Sequence, residues 1–264
     1  MLVLIRGAGD IATGIALRLF RAGLQVVMTD LPMPTAIRRT VAFSQAIVLG
    51  RTTVEDVTAQ FALPEQVSEI LARGEIPVLA DPSCRCRELL QPDVLVDAIL
   101  AKRNLGTAIT DAPVVIAVGP GFTAGQDCHA VVETMRGHDL GRVIWDGPAL
   151  PNTNIPGLIG GYAGERVLRA PKDGVFRQVL DIGAQVKAGD IAGYVEDAPM
   201  VCTIDGVLRG ILPTGVQVHQ GMKSGDVDPR CELRHCFFAS DKALAVGGGV
   251  LEAILQQTGV LKHG

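Results

Sequence analysis

Leu2-Val-Leu-Ile5-Arg6-Gly7-Ala8-Gly9-Asp10-Ile11-Ala12 opens the chain, and its reading decides the fold. Leu2 to Ile5 is a short apolar run that passes almost directly into a glycine turn. From Ile11 onward, Ile15, Leu19 and Ala22 recur at helical spacing until Gly23 stops the run. Strand, turn and helix thus follow one another. Gln25 to Thr29 makes a second β-rich run, and Asp30 closes it about twenty residues after the turn, where a dinucleotide-binding βαβ unit carries the acid for its ribose.

Each position of that turn has its own physical task. Gly7 permits the tight turn, Gly9 lets the backbone approach a phosphate, and Ala12 allows helix and strand to touch. The free N–H groups and positive dipole end at the helix start attract an anion. Gly7, Gly9, Asp10, Ala12 and Asp30 are therefore the first cofactor-binding candidates. A degenerate turn that binds nothing, or binds something other than a dinucleotide, shares the same pattern. Apolar runs at 46–49, 76–80, 94–96 and 114–118 alternate with a helical stretch near 64–73. That alternation predicts an α/β fold with a Rossmann-like, mostly parallel sheet of about six strands, covered on both faces.

A second glycine loop, Gly119-Pro-Gly121-Phe-Thr-Ala-Gly125, follows the run at 114–118 and leads into Asp127-Cys-His129-Ala-Val-Val-Glu133. Read as a strand leading to a helix, it repeats the anion-binding logic, so Gly119, Gly121 and Gly125 join the cofactor candidates. Both loops can face one crevice beyond the carboxyl ends of the strands. His129 and Glu133 then lie one helical turn apart, which suits a metal pair, a base with its orienter, or, most simply, a surface ion pair. No metal site is expected.

Beyond Gly157-Leu-Ile-Gly160-Gly161, read as a linker, alternating valines and glycines replace helix-forming sequence. Ala170-Pro-Lys-Asp173-Gly174-Val-Phe-Arg177 is echoed by Cys202-Thr-Ile-Asp205-Gly206-Val-Leu-Arg209, and Gly183-Ala-Gln-Val186-Lys-Ala-Gly189 by Gly215-Val-Gln-Val218-His-Gln-Gly221. Asp173 to Asp205 and Gly189 to Gly221 are both offsets of 32 residues, so an ungapped duplication is present. Two copies predict a small duplicated β-barrel of the barrel-sandwich type, each half hiding the other's sheet edges. After Arg230 the chain returns to helix, with Ser240 as N-cap and Ala243, Val246, Val250 and Ile254 on one stripe. Three mid-helix glycines, Gly247 to Gly249, ask for close packing. The domains expected are 1–160 plus 231–264, nucleotide-binding, and 165–230, the duplicated module.

With 264 residues, 48% of them apolar, and a formal charge of −4, the chain can bury a core and lacks the basic clusters that nucleic-acid binding needs. Its apolar segments are too short or too glycine-broken for a signal peptide or a membrane span. Six scattered cysteines suit a reducing compartment, which places the protein in the cytoplasm.

Chemistry-bearing side chains are few. Cys84 and Cys86, in Asp81-Pro-Ser-Cys84-Arg-Cys86, end the run at 76–80; they are read either as inert buried thiols or as thiolates favoured by Arg85 and Arg87. Cys231, His235 and Cys236 match no standard finger. His138 falls in a loop, and Lys102 with Asn104 is the pair nearest the expected crevice. The catalytic candidates are Cys84, Lys102 and His138.

Arg6-Gly-Ala-Gly-Asp-Ile-Ala-Thr-Gly14, Asp97-Ala-Ile-Leu-Ala-Lys102-Arg-Asn104, the Gly119–Gly125 loop, Glu133-Thr-Met-Arg-Gly-His138-Asp-Leu-Gly-Arg142 and Gly225-Asp-Val-Asp-Pro-Arg230 together resemble the accessory proteins of selenium-dependent molybdenum hydroxylases. The resemblance implies a maturation role, that hydroxylase as partner, and a nucleotide-bearing ligand, either NAD-like or the dinucleotide form of molybdenum cofactor. It transfers no catalytic set, and whether a reaction occurs stays open, as does assembly into a homo-oligomer. The duplicated module resembles the biotinyl and lipoyl carriers, but the turn between its halves, Glu196-Asp-Ala-Pro-Met200, has no lysine to modify. An NAD(P)-dependent oxidoreductase and a non-catalytic nucleotide-sensing scaffold are the competing expectations.

Overall fold

β1 (Leu2–Arg6), α1 (Asp10–Arg21) and β2 (Gln25–Thr29) follow in the order that the opening residues predict. The computed structural model describes residues 1–153 and 156–260. Next come α2 (Gln45–Leu49), β3 (Arg51–Val54), β4 (Val57–Phe61), α3 (Val67–Ala72), β5 (Ile76–Leu79), α4 (Arg87–Leu90), β6 (Val94–Asp97), β7 (Val114–Val118), β8 (Thr123–Ala124), β9 (Ala130–Val132), β10 (Val143–Ile144) and β11 (Gly147–Pro148). The run at 46–49 is a helix and not a strand. Gln45 and Ala46 are buried while Val48 and Leu49 face outward, and a short apolar run does not separate strand from helix by periodicity.

Among the described residues, nine strands form one sheet in the order β10-β9-β7-β6-β1-β2-β5-β4-β3. β4, β5, β2, β1, β6, β7 and β9 run parallel, and antiparallel pairing is confined to β3 and β10 at the two edges. From β1 the chain works outward to β2 and β5, then returns to β6 on the other side of β1 and proceeds to β7 and β9. Connections therefore diverge between β1 and β6. Leu4, Val27, Leu95 and Val115 pack with Val67 and Ile70 of α3, and side-chain alternation turns Val3, Ile5 and Met28 to the opposite face.

That opposite face is served by α1 and by α5 (Asp241–Thr258), which pack against each other. Ser240 caps α5, its hydroxyl accepting from the Ala243 N–H at 3.2 Å, and the stripe Ala243, Val246, Val250, Ile254 is fully buried. The mid-helix glycines divide by role. A Cβ at Gly247 would stand 2.8 Å from the Gly14 carbonyl oxygen, and one at Gly249 would overlap the Gly141 carbonyl, whereas Gly248 faces open space.

The expected helix after Gly125 is absent. Ala130–Val132 is instead strand β9, because Val131 and Val132 are β-branched and slot beside β7, Ile116 opposite Ala130. The crossovers after β6 and β7 are built of loops and short strands, so the helix in contact with β7, β9 and β10 is α5, from the C-terminal part of the chain.

The chain divides into two compact units: Met1–Pro34, Ala42–Thr153 and the chain from Ala239 onward; and Thr35–Val41 with the chain from 154 to Phe238. The segment at 157–161, expected as a linker, thus falls within the second unit, and residues 261–264 of the expected first domain lie outside the described residues. The second unit contains β12 (Val167–Arg169), β13 (Gly174–Gln178), β14 (Gln185–Val186), β15 (Ile191–Val195), β16 (Ala198–Val201), β17 (Gly206–Ile211), β18 (Gln217–Val218) and β19 (Lys223–Asp228). They make two four-stranded antiparallel sheets, β12-β19-β17-β14 and β16-β15-β13-β18, in place of the single closed barrel expected. The 32-residue offset carries β13, β14 and β15 onto β17, β18 and β19, and so exchanges the two sheets. Each sheet mixes strands of both copies, and one core of Phe176, Val195, Leu208, Ile211 and Val227 lies between them.

Three arginines and two aspartates are threaded through this unit. Arg166 and Arg209 pair with Asp226, and Arg209 and Arg230 with Asp228. Burial raises the Asp228 pKa, but Arg230 and Arg209 outweigh it and bring the carboxyl down to about 2.

Two outcomes follow for stability. Gly249→Ala should cost about 1–3 kcal/mol through overlap, and Gly248→Ala should be neutral or gain up to about 1 kcal/mol from helix propensity, read from urea midpoints. Because the folded pKa of Asp228 is depressed, its contribution is complete above the ordinary value of 3.8 and is lost as pH falls through about 2. Urea midpoints measured from pH 5 to pH 2 should accordingly fall less steeply in Asp228→Asn than in the parent, by on the order of 2 kcal/mol across that window.

Candidate functional site

The crevice is built at the carboxyl ends of β5, β2, β1, β6 and β7. Gly7, with φ of +108°, turns the chain out of β1 so closely that an added Cβ would lie 2.8 Å from the Ala98 carbonyl oxygen, just past β6. Only glycine fits there. Gly9 is different: its φ of −72° and ψ of −173° are open to any residue, and nothing lies within 4 Å of the Cβ position. It is the N-cap of α1 and offers no side chain, so no side-chain cap covers the N–H groups of the first turn; the first intrahelical bond runs from Thr13 N–H to the Gly9 carbonyl.

Asp30 clamps this turn. One carboxylate oxygen accepts from the Ala8 N–H and the other from the Leu31 N–H, both at 2.7 Å. Burial pushes the carboxyl above the usual carboxylate range, against the pull of those two N–H groups. Each oxygen has a second lone pair, so a ribose hydroxyl can still donate to it. Asp10 is partly buried in the first turn of α1 and Ala12 is buried beneath it.

The second glycine loop is packed by the chain itself. At Gly121 a Cβ would stand 2.6 Å from the Arg103 backbone and 2.8 Å from Lys102, and at Gly119 it would meet the Thr134 hydroxyl oxygen at 2.8 Å. Gly125, with φ of +82°, serves the turn ahead of β9, and with no helix following it the loop has no dipole end to offer an anion. Lys102 is exposed, with φ of +63°. Asn104 is a loop staple, taking the Gly106 and Thr107 N–H groups on its side-chain oxygen.

His129 and Glu133 do not act as a pair. The His129 Nδ1 accepts from the Val115 N–H at 2.9 Å, while buried Glu133 accepts from the backbone N–H groups of Thr134, Met135 and Leu150. Glu133 also lines an open depression of about 530 Å³ with Asp139, Arg142, Ile144, Pro148 and Leu150, which includes none of the predicted site residues. His138 stands exposed in the β9–β10 connection.

A cluster that sequence reasoning missed sits between these loops. Arg6, at the end of β1 and 8% exposed, pairs with buried Asp97 at 3.4 Å. The Thr107 hydroxyl links them, accepting from Arg6 at 2.9 Å and donating to Asp97 at 2.6 Å. Arg6 also donates to the carbonyls of Pro82 and Leu105. The motif Arg6-Gly-x-Gly carried the signal: a charge in the last position of a buried strand requires a partner.

Cys84 and Cys86 lie on the Asp81–Cys86 loop, 2% and 7% exposed. Interaction with the Cys86 thiol lowers the Cys84 pKa, and the Cys84 thiol together with burial drives that of Cys86 far up. Arg6, and not Arg85 or Arg87, is the cation acting on Cys84; Arg85 is exposed and Arg87 pairs with Asp111. Burial instead pushes Cys128 up to about 12 and Cys202 up to about 11. Cys231 and Cys236 belong to no cluster of three or more potential metal ligands among the described residues. Nor is any described helix long and apolar enough to cross a membrane.

No family model matches the chain. It is 51% identical over 255 residues to the uncharacterized protein YqeB of Escherichia coli (strain K12), covering 96% of this chain and 47% of that protein. The chain thus spans about half the length of the curated relative it matches. Among solved structures, an aspartoacylase family protein from Mesorhizobium loti is 12% identical over 86% of this chain and 83% of its own, with a TM-score of 0.26. A succinylglutamate desuccinylase from a Silicibacter species is 12% identical over 86% and 84%, with a TM-score of 0.25. Likenesses of that size carry no conclusion about this chain. Neither this relative nor these solved structures is named as a molybdenum hydroxylase maturation protein or as anything related to selenium; the two structures are of an aspartoacylase family protein and a succinylglutamate desuccinylase. The assignment to the accessory family is corrected accordingly, and the maturation function and hydroxylase partner that rested on it are withdrawn.

Arg6→Met strands Asp97 as an uncompensated buried charge and should destabilise the protein by about 3–5 kcal/mol, whereas exposed Arg85→Met should stay within about 0.5 kcal/mol. Urea unfolding of both variants checks the contrast.

Proposed function

We propose that the first unit is a Rossmann-like nucleotide-binding unit, which takes a nucleotide or dinucleotide with its phosphates over Gly9 and the first turn of α1 and its ribose on Asp30. The supporting observation is the strand order. Connections diverge between β1 and β6, the place where open parallel sheets bind ligands, and the Gly7–Ala12 turn stands there. Open space at Gly9, an N-terminus without a side-chain cap and spare lone pairs on Asp30 fit a phosphate and a ribose hydroxyl. Asp30 would repel a 2′-phosphate, so the ligand is of the NAD or ADP class and not the NADP class.

The second unit reads as a duplicated sandwich of the biotinyl and lipoyl kind, supported by the exchange of its two sheets under the 32-residue offset. Its central hairpin turns through Glu196-Asp197, so it has no lysine there to carry a prosthetic group. The free state of the whole chain's six cysteines supports a cytoplasmic location.

Calorimetric titration with ADP-ribose and with its 2′-phosphate tests the site. ADP-ribose should bind at least about tenfold more tightly than the phosphorylated analogue. Gly9→Val, whose backbone geometry and surroundings accept a side chain, should keep the parent's urea midpoint and lose at least about tenfold in affinity. Absence of binding by the parent to both compounds, or unchanged affinity in Gly9→Val, would overturn the proposal.

A further inference from the structure

We infer that the open depression beside β10 takes a primary ammonium group on a short alkyl chain, with the Glu133 carboxylate as the charge that attracts it. Glu133, Asp139, Arg142, Ile144, Pro148 and Leu150 line this depression of about 530 Å³, and all six belong to the first unit. The nucleotide reading uses none of them, so the two sites stand or fall separately.

The wall that carries Glu133 is firmly held. The Gly141 N–H donates to the Glu133 carbonyl at 2.9 Å and the Glu133 N–H to the Arg142 carbonyl at 3.0 Å, which closes the β9–β10 connection on itself. A Cβ at Gly141 would stand 2.7 Å from the Ala245 carbonyl oxygen, and both terminal nitrogens of Arg136 donate to Asp241 at 2.7 Å. Both contacts fasten the connection to the start of α5. A wall fixed in this way leaves little to be ordered when a ligand arrives.

Charge in the depression does not cancel. Arg142 and Asp139 neutralise each other, the arginine Nε donating to one carboxylate oxygen at 2.7 Å. Glu133 is only 2% exposed; its Oε1 accepts from the Thr134 and Met135 N–H groups at 2.6 Å, and its Oε2 from the Leu150 N–H at 2.8 Å. Among the described residues no lysine, arginine or histidine pairs with it. Backbone N–H groups satisfy its hydrogen bonding without supplying a full positive charge, whereas buried charges are ordinarily paired.

A cation from solvent supplies that charge. Leu150 lines the depression and donates to Oε2, so this side of the carboxylate belongs to the wall of a cavity that is open to solvent. Oε2 keeps a lone pair for one of the three ammonium donors, and the second oxygen of Asp139 is placed to take another. Ile144, Pro148 and Leu150 give an alkyl chain its apolar contact, and their low dielectric focuses the field of Glu133. The same field repels anions. An ammonium of this kind is presented by a free alkylamine or by the lysine side chain of another protein.

Amide NMR on the isotope-labelled full chain tests the site, with n-butylammonium as the probe and n-butyrate as its anionic counterpart. Butylammonium should shift amides within residues 133–150, and butyrate should not. Glu133→Gln keeps an acceptor for the Thr134 and Met135 N–H groups but removes the charge, and should weaken binding at least about tenfold. Arg142→Met removes a competing cation and releases Asp139, and should tighten binding about threefold. A glutamate that only staples its loop would lower the urea midpoint in Glu133→Gln and leave ammonium binding in Arg142→Met as in the parent. Nα-acetyl-lysine methylamide, titrated beside butylammonium, separates the sources: tighter binding of the lysine mimic assigns the site to a partner's lysine, and tighter binding of butylammonium to a free amine. No shift with either ammonium, an equal shift with butyrate, unchanged affinity in Glu133→Gln, or unchanged or weaker binding in Arg142→Met would overturn the inference.

Discussion

Arg6 and Asp97 stand at the carboxyl ends of neighbouring strands β1 and β6, and the loops that make the crevice are hung on their contact. A buried ion pair is costly to form and costlier to break, because either charge alone in the interior has no water to turn to. Thr107 bridges the pair, and the remaining guanidinium bonds reach the Leu105 and Pro82 carbonyls, so one side chain fixes both the 98–107 loop and the loop that carries the two thiols. Gly7 follows Arg6 directly, and its missing Cβ is what lets the glycine turn settle against Ala98. A single strand end thereby positions the glycine turn, the 98–107 loop and the loop that carries Cys84 and Cys86.

The legible parts of the fold were those written in local periodicity. The β1–α1–β2 unit, the cap at Ser240, the stripe on α5 and the duplicated register each follow from spacing within a short window, and tertiary contacts only reinforce them. The 119–142 segment was misread because glycines after a strand look alike whether a helix or another strand follows. Val131 and Val132 were the clue that favoured strand. At 46–49 the run was too short for its period to be measured. The second glycine loop shows the limit of motif logic: Gly121 is glycine because the 102–103 backbone presses on it, and the sequence does not distinguish a neighbour from a ligand.

Long-range pairing was less visible. Nothing in the local sequence sets Arg6 beside Asp97, since the two are 91 residues apart and are brought together by sheet order. The cation assigned to Cys84 from the sequence, Arg85 or Arg87, was chosen by proximity along the chain, whereas burial selects the distant Arg6. The family resemblance failed for a related reason: shared glycine and aspartate motifs report the demands of a turn as readily as a common activity. In the second unit, by contrast, duplication carried more than expected. The same offset that identified the repeat also exchanges the two sheets, so neither copy can bury its apolar face alone.

Hydrogen exchange with and without ADP-ribose tests the central account most directly, because it locates the ligand on the chain without altering a residue. The account predicts slowed exchange at the amides of residues 9–12 and at Leu31, next to Asp30, with the 119–125 loop unchanged. Protection confined to the 119–125 loop, or to the depression around Glu133, would contradict it.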